Sequence, residues 1–194
     1  LSLGAALAIW VLLAARARTG AGAMNKRADM IRVEQAGEFG ATRIYAGQLA
    51  VMGDRGPHSA EIRAMAEEEA RHRVAFDALL LRRRVRPTAL QPLWSAAGYA
   101  LGAATALIGP EAAMACTAAV EEEIDRHYSR QLEELEASGD DPELAALIAD
   151  FREDERAHRA VALSSGAERA PAYPLLAGAI RLGCRTAIRL SERI

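Results

Sequence analysis

The chain carries Glu-x-x-His twice, as Glu69-Ala-Arg-His72 and Glu155-Arg-Ala-His158, among only four histidines and eighteen glutamates. Random placement of so few histidines gives well under one such match. On a helix, residues three apart lie about 60° apart around the axis and about 4.5 Å along it, so one cation can touch both side chains. The surrounding pattern is helical. Glu69 and His72 share a stripe with Ile62, Met65, Ala66 and Phe76; Glu155 and His158 share one with Ile148, Phe151 and Ala162. Each motif therefore points to an apolar side, where a charge is costly unless it is paired or bound to metal. Glu67, Glu68, Glu153 and Asp154 fall off those stripes, towards faces rich in arginine.

Turn residues divide the chain from Asn25 onward into six helices. The first spans 27–52 and ends at Gly53-Asp54-Arg55-Gly56-Pro57. The second spans 59–84 and stops before Arg86-Pro87, because a residue preceding proline disfavours the helical region. The third spans 88–108, with a bend expected near Pro92, and ends at Gly109-Pro110. The fourth spans 111–137. The fifth spans 142–164 behind a cap and a first-turn proline at Asp141-Pro142. A linker at 170–173 leads to the sixth, 175–194. Alanine and leucine dominate, β-branched and aromatic residues are sparse, and no stretch alternates with period two, so no sheet is expected. The expected fold is all-α, one domain with a sizeable core.

Glu-x-x-His from each of two helices, plus one glutamate from each of two others, is the ligand pattern of ferritin-like di-iron four-helix bundles, here with two additional helices. The lone glutamates belong on the first and fourth helices, which offer Glu34 or Glu38, and Glu121, Glu122 or Glu123. An internal repeat favours one of each. Glu38 is followed seven residues on by Tyr45, and Glu121 seven residues on by Tyr128. Glu38 precedes Glu69 by 31 residues and Glu121 precedes Glu155 by 34. Glu38 also shares a stripe with Ile31, Ala41 and Tyr45, and Gly37 and Gly40 beside it are expected to permit close helix approach. Pattern alone leaves Glu122 and Glu123 open beside Glu121. Carboxylates with two imidazoles and no nearby thiolate suit iron or manganese better than zinc. Tyr45 and Tyr128 are candidate hydrogen-bond donors to the ligand carboxylates.

Three further features bear on function. Between Pro87 and Glu121 the only charged residue is Glu111. That apolar hairpin is either a surface for membrane or a greasy substrate, or simply the buried centre of the bundle. Residues 1–15 are almost wholly apolar, followed by Arg16 and Arg18; 1–23 is treated as an extension of uncertain status, whether membrane-span end, signal, transit peptide or sequence upstream of a start at Met24, and 24–194 as the domain. Net charge is −2, which gives no reason to expect nucleic acid as a partner. Cys116 and Cys184 fit no metal spacing and are expected as buried thiols of a reduced compartment.

Beyond these patterns, the chain resembles the 5-demethoxyubiquinone hydroxylases. The likeness rests on Arg32-Val-Glu-Gln-Ala-Gly-Glu38-Phe-Gly-Ala, Arg43-Ile-Tyr-Ala-Gly-Gln48, Arg84-Val-Arg-Pro-Thr88, Pro92-Leu-Trp94, Met114-Ala-Cys-Thr117, Val120-Glu-Glu122, His127-Tyr128, Ala170-Pro-Ala-Tyr173 and Leu190-Ser-Glu-Arg193. It runs from about Asp29 to Ile194. Small departures, Gln35 and Glu34 before Ala-Gly-Glu and Phe39 for a common tyrosine, touch no ligand. The resemblance implies a di-iron monooxygenase that hydroxylates the ring of a polyprenylated demethoxy-benzoquinol in ubiquinone biosynthesis. Its iron ligands would be Glu38, Glu69, His72, Glu121, Glu155 and His158, with Glu69 and Glu155 bridging; this selects Glu121.

The implied cofactors are two iron ions and an external reductant such as NADH. The implied partners are O₂, the quinol, membrane lipid and a lipid-presenting protein of the same pathway. The implied location is peripheral, on the cytoplasmic face of a bacterial inner membrane or the matrix side of the mitochondrial one. His127 and Tyr128 are candidate catalytic residues, His127 for quinol binding or proton transfer. The bland reading of His127 is a solvent-facing histidine paired with Glu123. The rival function is iron oxidation or peroxide removal by a ferritin or rubrerythrin relative; a third is a metal-free helical adaptor.

Overall fold

The computed structural model describes the backbone of residues 3–193 and side chains from residue 25. The status of 1–23 as a separate extension turns on side chains outside the described residues. Among the described residues there are six α-helices and one 3₁₀ turn: α1 Leu3–Met52, α2 Ser59–Arg83, α3 Gln91–Ile108, α4 Pro110–Ser138, α5 Pro142–Ser164, the turn Ala167–Arg169 and α6 Tyr173–Ser191. There is no strand among the described residues. The fold is the expected all-α, ferritin-like bundle: α1, α2, α4 and α5 enclose the core, α3 lies along α1 and α4, and α6 along α4 and α1.

Proline and capping set the helix ends. Pro110, Pro142 and Pro174 open α4, α5 and α6 in the first turn, where a missing N–H leaves nothing unpaired. Asp141 caps α5, its carboxylate accepting the Leu144 N–H at 3.2 Å. Two expectations shift. α1 is helical from Leu3, not from residue 27. Pro92 opens α3 rather than bending it, so that helix begins at Gln91, and Thr88 instead closes a short turn by accepting the Leu90 N–H at 3.2 Å.

The close helix approach also lies elsewhere than expected. A Cβ at Gly37 or Gly40 would meet nothing. One at Gly47 would sit 2.2 Å from the Tyr99 carbonyl oxygen, and one at Gly102 1.9 Å from that of Ile44. Backbone thus meets backbone between α1 and α3, which only glycine permits.

The two halves of the apolar hairpin have different fates. Ala112 to Val120 of α4 are buried, so that half is core. α3 buries Gly98, Gly102, Thr105 and Ala106 but exposes Leu93, Tyr99, Leu107 and Ile108. α6 adds exposed Leu175 and Leu182, and its end is tied to α3 where Trp94 Nε1 donates to Ser191 Oγ at 3.0 Å. No helix of the described residues is long and apolar enough to cross a membrane.

Candidate metal centre

Two apolar clusters bracket the middle of the bundle. One holds Ile31, Phe76, Leu79, Leu132, Leu144 and Ile148. The other holds Ala41, Ile62, Met65, Met114, Ala118 and Ala162. Between them, one turn from each helix is polar. There the structure brings together all six expected ligand residues: Glu38, Glu69, His72, Glu121, Glu155 and His158 are each at most 2% exposed. Glu38, Glu69, His72 and Glu155 place four donor atoms within 4.8 Å of one another, and so do Glu69, Glu121, Glu155 and His158. Glu69 and Glu155 belong to both groups.

The contacts inside the cluster are ion-pair distances rather than aligned hydrogen bonds. His72 Nδ1 lies 3.3 Å from Glu155 Oε1 and 3.6 Å from Glu38 Oε2; His158 Nδ1 lies 3.2 Å from Glu69 Oε1 and 3.3 Å from Glu155 Oε2. The atoms left without a hydrogen-bond partner form a pattern. Both oxygens of Glu69 and of Glu155 are unpartnered, one oxygen each of Glu38 and Glu121, and Nδ1 of both histidines. Buried polar atoms are rarely left so, and here all eight turn on one small volume. Two carboxylates with both oxygens free and two with one free match two shared and two terminal ligands.

The outer atoms of the same residues are all engaged. Tyr45 Oη donates to Glu121 Oε1 at 2.8 Å, and Tyr128 Oη donates to Glu38 Oε1. His72 Nε2 lies 3.0 Å from Asp154 Oδ2, and His158 Nε2 lies 2.8 Å from Glu68 Oε2. A carboxylate accepting from Nε2–H holds the ring proton on that nitrogen and leaves the Nδ1 lone pair facing inward. Phe151 stacks on His72 with ring centroids 3.9 Å apart, fixing its plane.

Electrostatics follow from burial. Burial, then the charge of Glu155, pushes Glu69 and Glu121 well above the usual carboxylate range, and Glu38 rises for the same leading reason. Burial would raise Glu155 too, but the adjoining imidazoles of His158 and His72 outweigh it and hold that carboxyl low. Burial opposes charge on His72, yet Glu155 and Glu38 raise it to about 10. Protons thus take the place a cation would occupy. Four carboxylates at one buried point are stable only when protonated or neutralised, and the cluster is compatible with a metal site.

His127 lies outside the cluster. It is buried, with Nε2 2.9 Å from Glu34 Oε1 and 2.9 Å from Gln131 Nε2, and the solvent-facing pairing with Glu123 does not form. Glu123 pairs instead with Arg126 and Arg185. The sequence reading missed Glu68 and Asp154, assigning them to arginine-rich faces, although an acid stands immediately before the glutamate of both Glu-x-x-His motifs.

Fold and cluster together define a ferritin-like bundle of the di-iron class. The family described as ubiquinone biosynthesis protein COQ7 matches residues 25–191, and the chain belongs to it. A Rhodospirillum rubrum protein named 3-demethoxyubiquinol 3-hydroxylase is 52% identical over 165 residues, covering 84% of this chain and 76% of its own length. A human protein named NADPH-dependent 3-demethoxyubiquinone 3-hydroxylase, mitochondrial, is 50% identical over 169 residues, with 85% and 76% covered. The yeast protein named 5-demethoxyubiquinone hydroxylase, mitochondrial, is 43% identical over 179 residues, with 85% and 77% covered.

Proposed function

We propose that this chain is an O₂-dependent di-iron monooxygenase that hydroxylates the ring of a polyprenyl demethoxy-benzoquinol in ubiquinone biosynthesis. The observation that carries the reading is the set of eight inward-facing, unpartnered ligand atoms inside a bundle of this family. Glu38, Glu69, His72, Glu121, Glu155 and His158 would hold two irons, with Glu69 and Glu155 shared between them. When bound, the irons supply the reducing equivalents and open coordination positions that O₂ activation requires.

The chain's own residues do the rest. Tyr45 and Tyr128 each occupy one oxygen of a terminal carboxylate and so orient the other inward. Asp154 and Glu68 hold the two imidazoles with Nδ1 towards the centre. The apolar clusters on either side exclude water, which strengthens every charge interaction between them. Tyr128 acts by positioning Glu38. His127 is assigned proton transfer: paired with Glu34, it lines a cavity of about 310 Å³ whose rim also carries Lys26, Arg130 and Glu192.

The electrons come from a reduced nicotinamide. The names of several relatives specify NADPH as that donor. The hydroxylase domain is assigned to 24–194, with 1–23 outside it. The exposed faces of α3 and α6 dock on a membrane, where the prenyl tail resides and where a lipid-presenting protein of the pathway would meet the enzyme. The location is the cytoplasmic face of a bacterial inner membrane or the matrix side of the mitochondrial one.

The test is coupling. With iron-loaded protein, reductant and a prenylated demethoxyquinol, O₂ consumption should accelerate, and ¹⁸O₂ should place one labelled atom in the new ring hydroxyl. If O₂ is consumed equally without quinol while ferric iron accumulates, iron oxidation is the activity instead.

A further inference from the structure

A second cavity, of about 790 Å³, lies at the end of the bundle where the 25–32 stretch of α1, the C-terminus of α2 and the N-terminus of α5 meet. Its volume falls in the range of small-molecule sites. Five arginines line it, Arg27, Arg32, Arg83, Arg84 and Arg86, against two carboxylates, Asp140 and Asp141. That is a surplus of three positive charges in a chain whose net charge is −2. Ile31 and Val85 give the cavity an apolar wall.

The arginines are not equivalent. Arg83 is committed to Asp141 and Glu143, and Arg27 reaches Asp140 at 3.1 Å. Arg32 binds Asp29 at 2.7 Å and donates to the Arg86 carbonyl. Arg84 and Arg86 have no carboxylate partner among the described residues, and both are exposed. A second observation singles out Arg84. It occupies the position that ends α2, with φ 55° and ψ 37°, and its N–H closes the helix on Leu80 and Leu81. Glycine is the unstrained choice in that left-handed conformation. An arginine held there is strained, and it lines the cavity.

We infer that this cavity is a binding site for a phosphate-bearing ligand, with Arg84 and Arg86 as the anion-recognising pair. Guanidinium groups match phosphate oxygens in a bidentate fork, and the apolar wall suits an organic body attached to the phosphate. The ligand is either a soluble phosphate compound or the headgroup of an anionic phospholipid. The site is separate from the metal cluster: Ile31 stands seven residues, about 10 Å along α1, from Glu38.

The test uses the full, metal-loaded chain. Pyrophosphate binding is measured by calorimetry, and flotation is measured with phosphatidylcholine vesicles with and without phosphatidic acid. The variants are Arg84→Gly and Arg86→Gln, with Arg55→Gln, an exposed arginine in the α1–α2 turn, as control. Arg84→Gly relieves strain, so its thermal midpoint should not fall and any lost binding is not lost folding. Stoichiometric pyrophosphate binding, weakened about tenfold or more by either cavity variant but not by the control, establishes the soluble class. No pyrophosphate binding, but a phosphatidic-acid-dependent gain in flotation that either cavity variant removes, establishes the headgroup. If wild type shows neither effect, or the cavity variants match the control, the inference is overturned.

Discussion

The half built on α1 and α2 and the half built on α4 and α5 read as one repeat, yet neither completes its own site. Tyr45 follows Glu38 in one half but bonds Glu121 of the other; Tyr128 follows Glu121 but bonds Glu38. Glu68 precedes the first Glu-x-x-His and holds His158 of the second, while Asp154 precedes the second and holds His72 of the first. The symmetry stops one layer further out. Gln48 donates to the Ala113 carbonyl at 3.0 Å and lies 3.5 Å from Thr117, all neutral. Its counterpart Gln131 meets His127, which is paired with Glu34. A shell that had to hold two similar cations would be constrained to this symmetry; the layer outside it would be free to diverge.

The largest effect should come from the shared carboxylates. Glu69→Ala and Glu155→Ala should each lose both metals, read as iron per chain by elemental analysis, because each residue belongs to both donor groups. Glu38→Ala and Glu121→Ala should each leave about one of the two irons of this class. Two irons retained in either shared-ligand variant would end the symmetric picture. Metal-free wild type should melt below the loaded protein, and metal-free Glu69→Ala above metal-free wild type, since one of four repelling carboxylates is gone.

Next come the histidine partners. Asp154→Asn and Glu68→Gln should each weaken metal affinity about 10–100-fold, measured by competition with a chelator. Equal losses support crossed equivalence; a loss confined to one would show that the two metal positions differ. Tyr45→Phe and Tyr128→Phe should each cost about 1–3 kcal/mol of unfolding free energy in the loaded protein, because a buried carboxylate oxygen loses its donor. Denaturant titration reads this, and unchanged stability would mean water replaces the hydroxyl.

The smallest effect probes the asymmetry. Burial disfavours charge on His127, but Glu34 outweighs it and raises that imidazole above its ordinary 6.5. A raised folded value contributes stability that is fully present below about pH 6.5 and lost as pH rises through the folded value. The wild-type advantage over His127→Gln should therefore shrink as pH rises above about 6.5 and through the folded value. A flat difference would make the pair irrelevant to ionisation.

Much of this was legible in the residues. Five helices end within a few positions of where proline, glycine and Asp141 place them, because capping and backbone restriction act over three or four residues and need no distant partner. Five of the six ligand candidates were legible too, since a buried carboxylate on an apolar stripe has few alternatives to a cation; Glu121 was separated from Glu122 and Glu123 only by the family resemblance. Glu68 and Asp154 were not, because each acts on a residue about 80 or more positions away. Their one mark along the chain is the shared place before the motif glutamate, and it does not say which histidine each one serves.

The fate of the apolar hairpin likewise belonged to the tertiary structure. α3 and the first half of α4 are both nearly free of charge, yet only the second is wholly buried. Hydropathy states what water would reject; which face is covered depends on the neighbours. Here α4 takes α1, α5 and α6 around it, while α3 lies on the outside with glycines of α1 and its own pressed backbone to backbone. The sequence by itself determined helices, repeat and most of the candidate ligands, because these are local or stripe properties. Packing alone decided which tyrosine serves which carboxylate, which acid holds which histidine, and which apolar face stays open.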